Sequence, residues 1–193
     1  MRAITFDIET KFDGPMVGGR LDVNAMEITV VGVHDSATNE YTGYFVDELP
    51  KLWGVLESAD MLIGFNSDSF DIPLLNRYYP GDLTAIKSLD LLVEVHKSLG
   101  RRLRLQSLAE ATLGRGKSGD GLKAVEWWDQ GLFEKVRDYC IEDVRLTREL
   151  YDYALANGHV KYKDLNKKKE IKIDTSSWES LSEGPSLTHT LGI

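Results

Sequence analysis

The sequence predicts an α/β protein in which helices flank a mixed sheet whose first three strands are antiparallel. Three segments near the start of the chain have the alternating or β-branched pattern of strands and are joined by polar turns or loops. Short apolar segments then alternate with segments of helical spacing, as in sheets that contain parallel strands. The chain has 193 residues, 42% hydrophobic and 28% charged, which fits one folded domain.

The first three predicted strands lie within residues 3–46. Residues 3–8 alternate and are rich in Ile, Thr and Phe, as in a strand. Residues 27–34 (EITVVGVH) are largely β-branched and predict a mostly buried strand. A polar turn at 35–39 leads to a returning strand at 41–46, and so short a connection makes the pair antiparallel.

Helices and short strands alternate after residue 48. Leu49, Leu52 and Leu56 fall on one face of a helix over 49–59. The apolar run MLIGF at 61–65 is typical of a parallel strand that is buried on both faces. Proline in a first turn, glycine after a last turn and apolar spacings of three or four residues define the other elements. These are helices at 71–79, 91–98, 105–113, 122–130 and 132–156, and a strand at 86–89.

The pattern weakens after residue 156. Between residues 161 and 172, six lysines accompany Asp164 and Glu170. We interpret residues 1–156 as one domain and residues 157–193 as a lysine-containing extension that is not a separate domain. The extension is either a short hairpin or a solvated tail; steering of a nucleic acid or a partner is the functional alternative.

Charge, cysteine content and hydropathy limit the class of protein. The net charge of −8 argues against a broad basic surface that coats nucleic acid, but it is compatible with a cluster of metal-binding acids. Cys140 is the only cysteine, so an intramolecular disulfide is excluded and a cytoplasmic location is expected. No apolar run approaches the ~20 residues of a membrane helix, and the first residues lack the pattern of a signal peptide.

Three acidic segments carry the predicted chemistry, and the first is FDIET, with Asp7 and Glu9 at the end of the first strand. Side chains at i and i+2 point to the same face of a strand, so both carboxylates can bind one hard cation such as Mg2+. A solvated strand edge is the alternative. Because this strand is otherwise apolar, the acid pair requires a cation or hydrogen-bond partners, which favours a site.

The second segment is GFNSDSFDIPLL, in which Asp71 follows a predicted buried strand and opens a helix. Sites form at strand-to-helix junctions at the carboxyl ends of strands. Aspartate is also a preferred N-cap residue, so a capping role for Asp71 is equally compatible with the sequence.

The third segment is YCIED in the last predicted helix. Tyr139 and Asp143 are at i and i+4, so they lie on one face. Asp143 shares the stripe of Leu146, which is expected to face the sheet. An acid on such a stripe requires an explanation, whereas Asp138 and Glu142 are interpreted as solvated surface charges.

In order and in type, these segments match the three exonuclease motifs of the DEDD superfamily. The matching residues are Asp7 with Glu9, then Asn66 to Asp71, then Tyr139 with Asp143. The final Tyr-x-x-x-Asp spacing corresponds to the tyrosine (DEDDy) branch. Over residues 1–156 the chain resembles the 3'–5' exonuclease domain of family B DNA polymerases, and this resemblance implies an RNase H-like fold.

The resemblance implies phosphodiester hydrolysis by a two-metal-ion mechanism. Two Mg2+ or Mn2+ ions would be held by Asp7, Glu9, Asp71 and Asp143. Tyr139 would orient the attacking water, because a phenol of pKa ~10 is a poor general base at neutral pH. The residues expected to contact the substrate are Thr10, Asn66, Phe70 and Lys117.

The main functional prediction is a 3'–5' exonuclease that acts on single-stranded DNA ends. The alternatives are a structure-specific endonuclease or RNA exonuclease of the same fold, and a nucleic-acid-binding module that has lost catalysis. All four carboxylates and Tyr139 are present, which favours an enzyme. Nucleic acid is the expected partner, and a replication or repair protein is an additional candidate.

Other polar residues give weaker predictions. Residues 116–118 (GKS) are similar to the end of a phosphate-binding loop, but Ala111 stands where that loop requires glycine. Arg101 and Arg102 are interpreted as part of a solvated basic loop, with contact to a substrate phosphate as the alternative. Asp90 has a helix cap as its simplest role and support of the site as the other.

Overall fold

The computed structural model describes residues 1–12, 25–116, 121–165 and 167–180. A five-stranded sheet lies at its centre and consists of β1 (Ala3–Phe12), β2 (Met26–Asp35), β3 (Glu40–Phe45), β4 (Met61–Gly64) and β5 (Lys87–Asp90). The strand order is β3-β2-β1-β4-β5. The pairs β1–β2 and β2–β3 are antiparallel, whereas β4 is parallel to β1 and β5 is parallel to β4. The predicted mixed sheet is confirmed.

Helices connect and cover these strands. They are α1 (Leu49–Glu57), α2 (Asp71–Leu75), α3 (Leu91–Leu99), α4 (Leu105–Thr112), α5 (Gly121–Asp129) and α6 (Phe133–Asn157). Short 3-10 turns at Val46–Glu48 and Leu83–Ala85 precede α1 and β5.

The alternation of β1 assigns its side chains to the two faces of the sheet. Ile4, Phe6 and Ile8 are buried in a cluster with residues of α1 and α2. Asp7 and Glu9 occupy the alternate positions of the strand, so they point to the opposite face, which α6 covers. The same alternation that builds the core therefore places two acids on one side of the strand.

Two glycines let α6 approach this face closely. Gly32 of β2 pairs with Asp7 of β1 and with Gly43 of β3. A Cβ atom added at Gly32 would lie 3.0 Å from Cys140 Sγ and 3.0 Å from Val144 Cγ2, both in α6. The absence of a side chain at Gly32 thus fixes how near α6 lies to the acids of β1.

We expect Gly32→Ala to destabilise the protein by about 1–2 kcal/mol, because the new methyl overpacks a tight helix–sheet contact. Gly54→Ala in α1 is the control, since an added Cβ there would meet nothing within 4 Å. Urea unfolding of both variants measures the difference. Equal stabilities for the two alanine variants would contradict the close approach of α6 at Gly32.

The chain after α6 forms a hairpin of β6 (His159–Asp164) and β7 (Lys167–Lys172). Of the two alternatives for this segment, the hairpin is the one observed. Val160 and Ile171 are buried in the same cluster as residues of α4 and α6. Trp178 follows and stacks on Tyr151 of α6, with ring centroids 5.3 Å apart and an interplanar angle of 15°. The C-terminal segment is thus packed on the core through residue 178.

The helix predicted over 71–79 is shorter in the structure and ends at Leu75. Asn76 turns the chain, because its Nδ2 donates to Asp82 Oδ1 and its Oδ1 accepts from the Leu83 backbone N–H. Local side-chain hydrogen bonds of this kind compete with helix continuation.

A bidentate ion pair ties the start of β1 to the end of β2. Arg2 Nε and Nη2 donate to the two carboxylate oxygens of Asp35 at 3.1 and 2.6 Å. The hydrogen bond from Arg2 lowers the pKa of Asp35, and the backbone N–H of Ala37 lowers it further, against the opposing effect of burial.

We expect Arg2→Gln to lower the free energy of unfolding at pH 7 by about 1 kcal/mol. Because the pKa of Asp35 is lowered in the folded state, the stabilisation is present above the unfolded pKa of ~3.9 and is lost as pH falls through the folded-state pKa. Urea unfolding at pH 7 and at pH ~2 tests this, with Lys51→Gln at an exposed pair as control. An unchanged difference between wild type and Arg2→Gln in acid would contradict the assignment.

Candidate active site

Asp7, Glu9 and Asp143 form a compact group of carboxylates. Asp7 and Glu9 belong to β1, and Asp143 belongs to α6, which covers that face. One ligand atom from each residue lies within 4.8 Å of those of the other two. Glu9 and Asp143 are buried and Asp7 is partly buried. Three carboxylates at this separation, largely removed from water, suit a divalent cation.

Asp71 lies outside this group but lines the same cavity. It is the first residue of α2, and Phe70 occupies the N-cap position, so the capping alternative for Asp71 is wrong. Burial raises the pKa of Asp71 to about 7 and the Asp90 carboxylate adds to the rise, while the backbone N–H groups of Asp71 and Ile8 oppose it. A nearby cation would favour the charged form of this carboxylate.

The cavity has a volume of about 450 Å³, within the range of ligand-binding sites. It brings together the four carboxylates and three of the residues expected to contact substrate. Lys117 lies outside the described residues. The lining residues are Asp7, Ile8, Glu9, Thr10, Met26, Phe65, Asn66, Phe70, Asp71, Val125 and Asp143.

Asp90 holds the loop that follows β4, and residues of this loop line the cavity. Its Oδ1 accepts from the backbone N–H groups of Asn66 at 2.8 Å and Leu92 at 2.9 Å, and its Oδ2 accepts from Asp68 at 3.2 Å. Asn66 has a φ of 70°, a left-handed conformation that asparagine adopts more readily than most residues. Asp90 therefore caps α3, as expected, and also fixes the backbone that presents Asn66 to the cavity.

A family model of the RNase H superfamily matches residues 4–155. The chain belongs to the RNase H superfamily. Membership supports a nuclease-type function with nucleic acid as the substrate. RNase H-like nucleases use divalent metals, and the Asp7, Glu9 and Asp143 group is the candidate metal site in this chain.

Among solved structures, the family B DNA polymerase from the hyperthermophilic archaeon Pyrobaculum calidifontis is similar to this RNase H-superfamily chain. The TM-score is 0.62 at 18% sequence identity, and the match covers 80% of this chain and 24% of the polymerase. At this identity the likeness shows the fold, and the RNase H-like fold is confirmed. No curated protein matches the chain. Within the described residues, no helix has the length and apolar character needed to cross a membrane.

Tyr139 of this RNase H-superfamily chain lies one helical turn before Asp143 and is 5% exposed. Its ring packs edge-on against Trp127 of α5, with centroids 5.7 Å apart. Tyr139 is not among the described residues that line the cavity. The structure therefore buries the tyrosine beside the helical turn that carries Asp143, and its role toward water stays a prediction.

Cys140 received no role from the sequence, yet its thiol lies beneath the acidic group. Its Sγ donates to the Asp7 backbone oxygen at 3.4 Å and lies 4.0 Å from Asp7 Oδ2. Burial raises the pKa of the Cys140 thiol well above its usual range, and the neighbouring acids Asp7, Glu9 and Asp143 raise it further. The thiol is thus held neutral and supports the backbone of Asp7. Its position three residues before Asp143 was the available sequence signal.

Proposed function

We propose that this chain is a divalent-metal-dependent 3'–5' exonuclease of the tyrosine (DEDDy) branch of the DEDD superfamily, acting on single-stranded DNA ends. The observation that carries the proposal is the close group of Asp7, Glu9 and Asp143 in a cavity that Asp71 also lines. Membership of the RNase H superfamily supports it. Such an activity serves end trimming in replication or repair, alone or beside a partner protein.

The donor set fits hard divalent cations. Carboxylate oxygens suit Mg2+ and Mn2+, and the described lining of the cavity contains no thiolate or imidazole that would favour a softer metal. We assign two such ions to Asp7, Glu9, Asp71 and Asp143. Bound there, the ions supply an activated water and stabilise negative charge on the leaving oxygen.

The proposed reaction is hydrolysis of the last phosphodiester bond. A water oxygen bonds to phosphorus, the bond from phosphorus to the 3' oxygen of the preceding nucleotide breaks, and that oxygen gains a proton. The products are a nucleoside 5'-monophosphate and a strand shortened by one nucleotide.

The other residues of the site bind and orient. Tyr139 orients the attacking water, a positioning role that does not require the phenol to lose its proton. Phe70 stacks on a terminal base without sequence preference, and Thr10 and Asn66 contact the terminal nucleotide. Lys117 contacts a substrate phosphate.

Digestion of a 5'-labelled single-stranded DNA with Mg2+ or Mn2+ tests the proposal, beside an Asp7→Asn variant and an EDTA control. We expect a ladder that shortens from the 3' end and disappears in both controls. Internal cleavage would replace the proposal by the endonuclease alternative, and cleavage of a matched RNA alone would replace it by an RNA exonuclease. No cleavage of DNA or RNA with either metal would overturn it in favour of a binding module.

A further inference from the structure

Basic residues concentrate in the β6–β7 hairpin. Residues 159–172 contain six lysines, one aspartate and one glutamate, a net charge of +4 in a chain of net charge −8, which leaves −12 for the remaining residues. A nucleic-acid strand is repelled by most of this molecule at long range and attracted by the hairpin. The position of the hairpin relative to the cavity therefore decides how a strand can approach.

One face of the hairpin carries an aromatic ring and two exposed lysines. Lys169 pairs with Tyr162 across the strands and Lys167 pairs with Asp164, so these four side chains share a face with the buried Ile171. Lys169 Nζ contacts the Asp164 carboxylate, which lowers the pKa of Asp164. Lys167 and Lys169 remain exposed on this face.

The opposite face of the hairpin carries its own lysines. Lys163 pairs with Lys168 there, and both are exposed. The two lysine pairs therefore carry the same charge on the same two strands and lie on opposite faces.

Two arginines connect the first of these faces with the cavity. The guanidinium of Arg101 lies over the Tyr162 ring, with Cζ 5.2 Å from the ring centroid. Arg102 donates a hydrogen bond to Asn66 Oδ1, and Asn66 lines the cavity. Both arginines are exposed. Arg102, Arg101, Lys169 and Lys167, here called the basic strip, thus lead from the cavity wall onto one face of the hairpin.

We propose that the basic strip binds the phosphates of the nucleic-acid strand whose 3' end occupies the cavity; this inference rests on the proposed function. Arginine guanidinium groups bind phosphate through two parallel hydrogen bonds, and lysines bind it as point charges. Lys167 and Lys169 lie two residues apart on β7, ~7 Å at ~3.3 Å per residue, which adds the length of about two stacked nucleotides at ~3.4 Å each to the reach of the two arginines. The strip therefore gives the protein a preference for strands several nucleotides long.

Binding of a fluorescent 20-nucleotide single-stranded DNA tests the strip, measured by anisotropy with Ca2+ in place of Mg2+ at 0.15 M salt. The variants are Arg101→Gln with Arg102→Gln, and Lys167→Gln with Lys169→Gln. The matched control is Lys163→Gln with Lys168→Gln, which removes the same charge from the opposite face. We expect each strip double variant to bind at least tenfold more weakly and to show a salt slope smaller by about 1.4, and the control to stay within twofold.

Hydrolysis of a small substrate separates the strip from the cavity. The p-nitrophenyl ester of thymidine 5'-monophosphate has one phosphate and no further nucleotides for the strip to bind, so Lys167→Gln with Lys169→Gln should cleave it at the wild-type rate. The same variant should cleave the 20-nucleotide strand with a KM raised at least tenfold.

An equal loss of DNA binding in the Lys167, Lys169 variant and in the Lys163, Lys168 control would overturn the strip and indicate diffuse attraction by the whole hairpin. Wild-type binding in both strip variants would overturn it as well. Failure of the proposed function gives a different result: the wild-type protein then hydrolyses neither the ester nor the DNA with Mg2+ or Mn2+. The binding measurement still tests the strip in that case.

Discussion

Asp143→Asn should reduce metal-dependent DNA cleavage by about 10³-fold. The substitution keeps the shape of the side chain but removes its charge from a group whose three ligand atoms lie within 4.8 Å of one another. A cation held by two carboxylates in place of three binds more weakly, and we expect the affinity for Mn2+ to fall by about 10- to 100-fold. Cleavage rates and titration calorimetry with Mn2+ measure the two effects independently.

Asp138→Asn is the matched control for this substitution. Asp138 lies in the same helix but is exposed, so its neutralisation should leave both cleavage and Mn2+ affinity within about twofold of wild type. Full activity in Asp143→Asn, or an equal loss in Asp138→Asn, would exclude Asp143 as a metal ligand. Circular dichroism of both variants verifies that α6 is folded.

Trp178→Ala should lower the free energy of unfolding by about 3–5 kcal/mol. The indole is 2% exposed, stacks on the Tyr151 ring and belongs to the cluster that contains residues of α4 and α6. Its removal leaves a cavity against the longest helix and releases the segment whose carbonyl oxygens accept hydrogen bonds from Lys87 Nζ. Urea unfolding followed by circular dichroism measures the loss.

Leu165→Ala provides the comparison, because Leu165 is a large apolar residue at the hairpin turn that is 95% exposed. Its substitution should change stability by less than about 0.5 kcal/mol. Similar, small effects for both variants would mean that residues after α6 are not part of the cooperative core. A large effect for Trp178→Ala alone would extend the stable unit beyond residue 156, where the sequence pattern weakens.

The sequence allowed the strand geometry of the site to be predicted, because that geometry is local. The period of two along β1 suffices to place Asp7 and Glu9 on one face. The strand itself runs to Phe12, past the predicted end at Ile8, because pairing with β2 continues beyond a register shift at Glu9 and Thr10. Such pairing depends on the partner strand and is absent from the local pattern.

Long-range packing explains what the sequence did not reveal. The stripe of α6 indicated that Asp143 faces the sheet, but which strand it meets depends on Gly32, 111 positions earlier in the chain. Cys140 likewise gains its role only through contact with Asp7, a residue of another element. The resemblance to a family supplied the link between the three acidic segments, which periodicity alone does not provide.

The four hydrogen bonds to Asp90 restrict which residue can occupy that position. Its two oxygens accept from the backbone N–H groups of Asn66, Asp68, Leu92 and Val93. An asparagine has the same shape, yet whichever way its amide is turned, an NH2 group would face at least one of these donors. Only a carboxylate has two acceptor oxygens that serve all four, so the loop after β4 requires a carboxylate at this position. The Asp90 carboxylate also raises the pKa of Asp71. The conformation of the loop in the cavity wall and the raised pKa of Asp71 therefore both depend on Asp90.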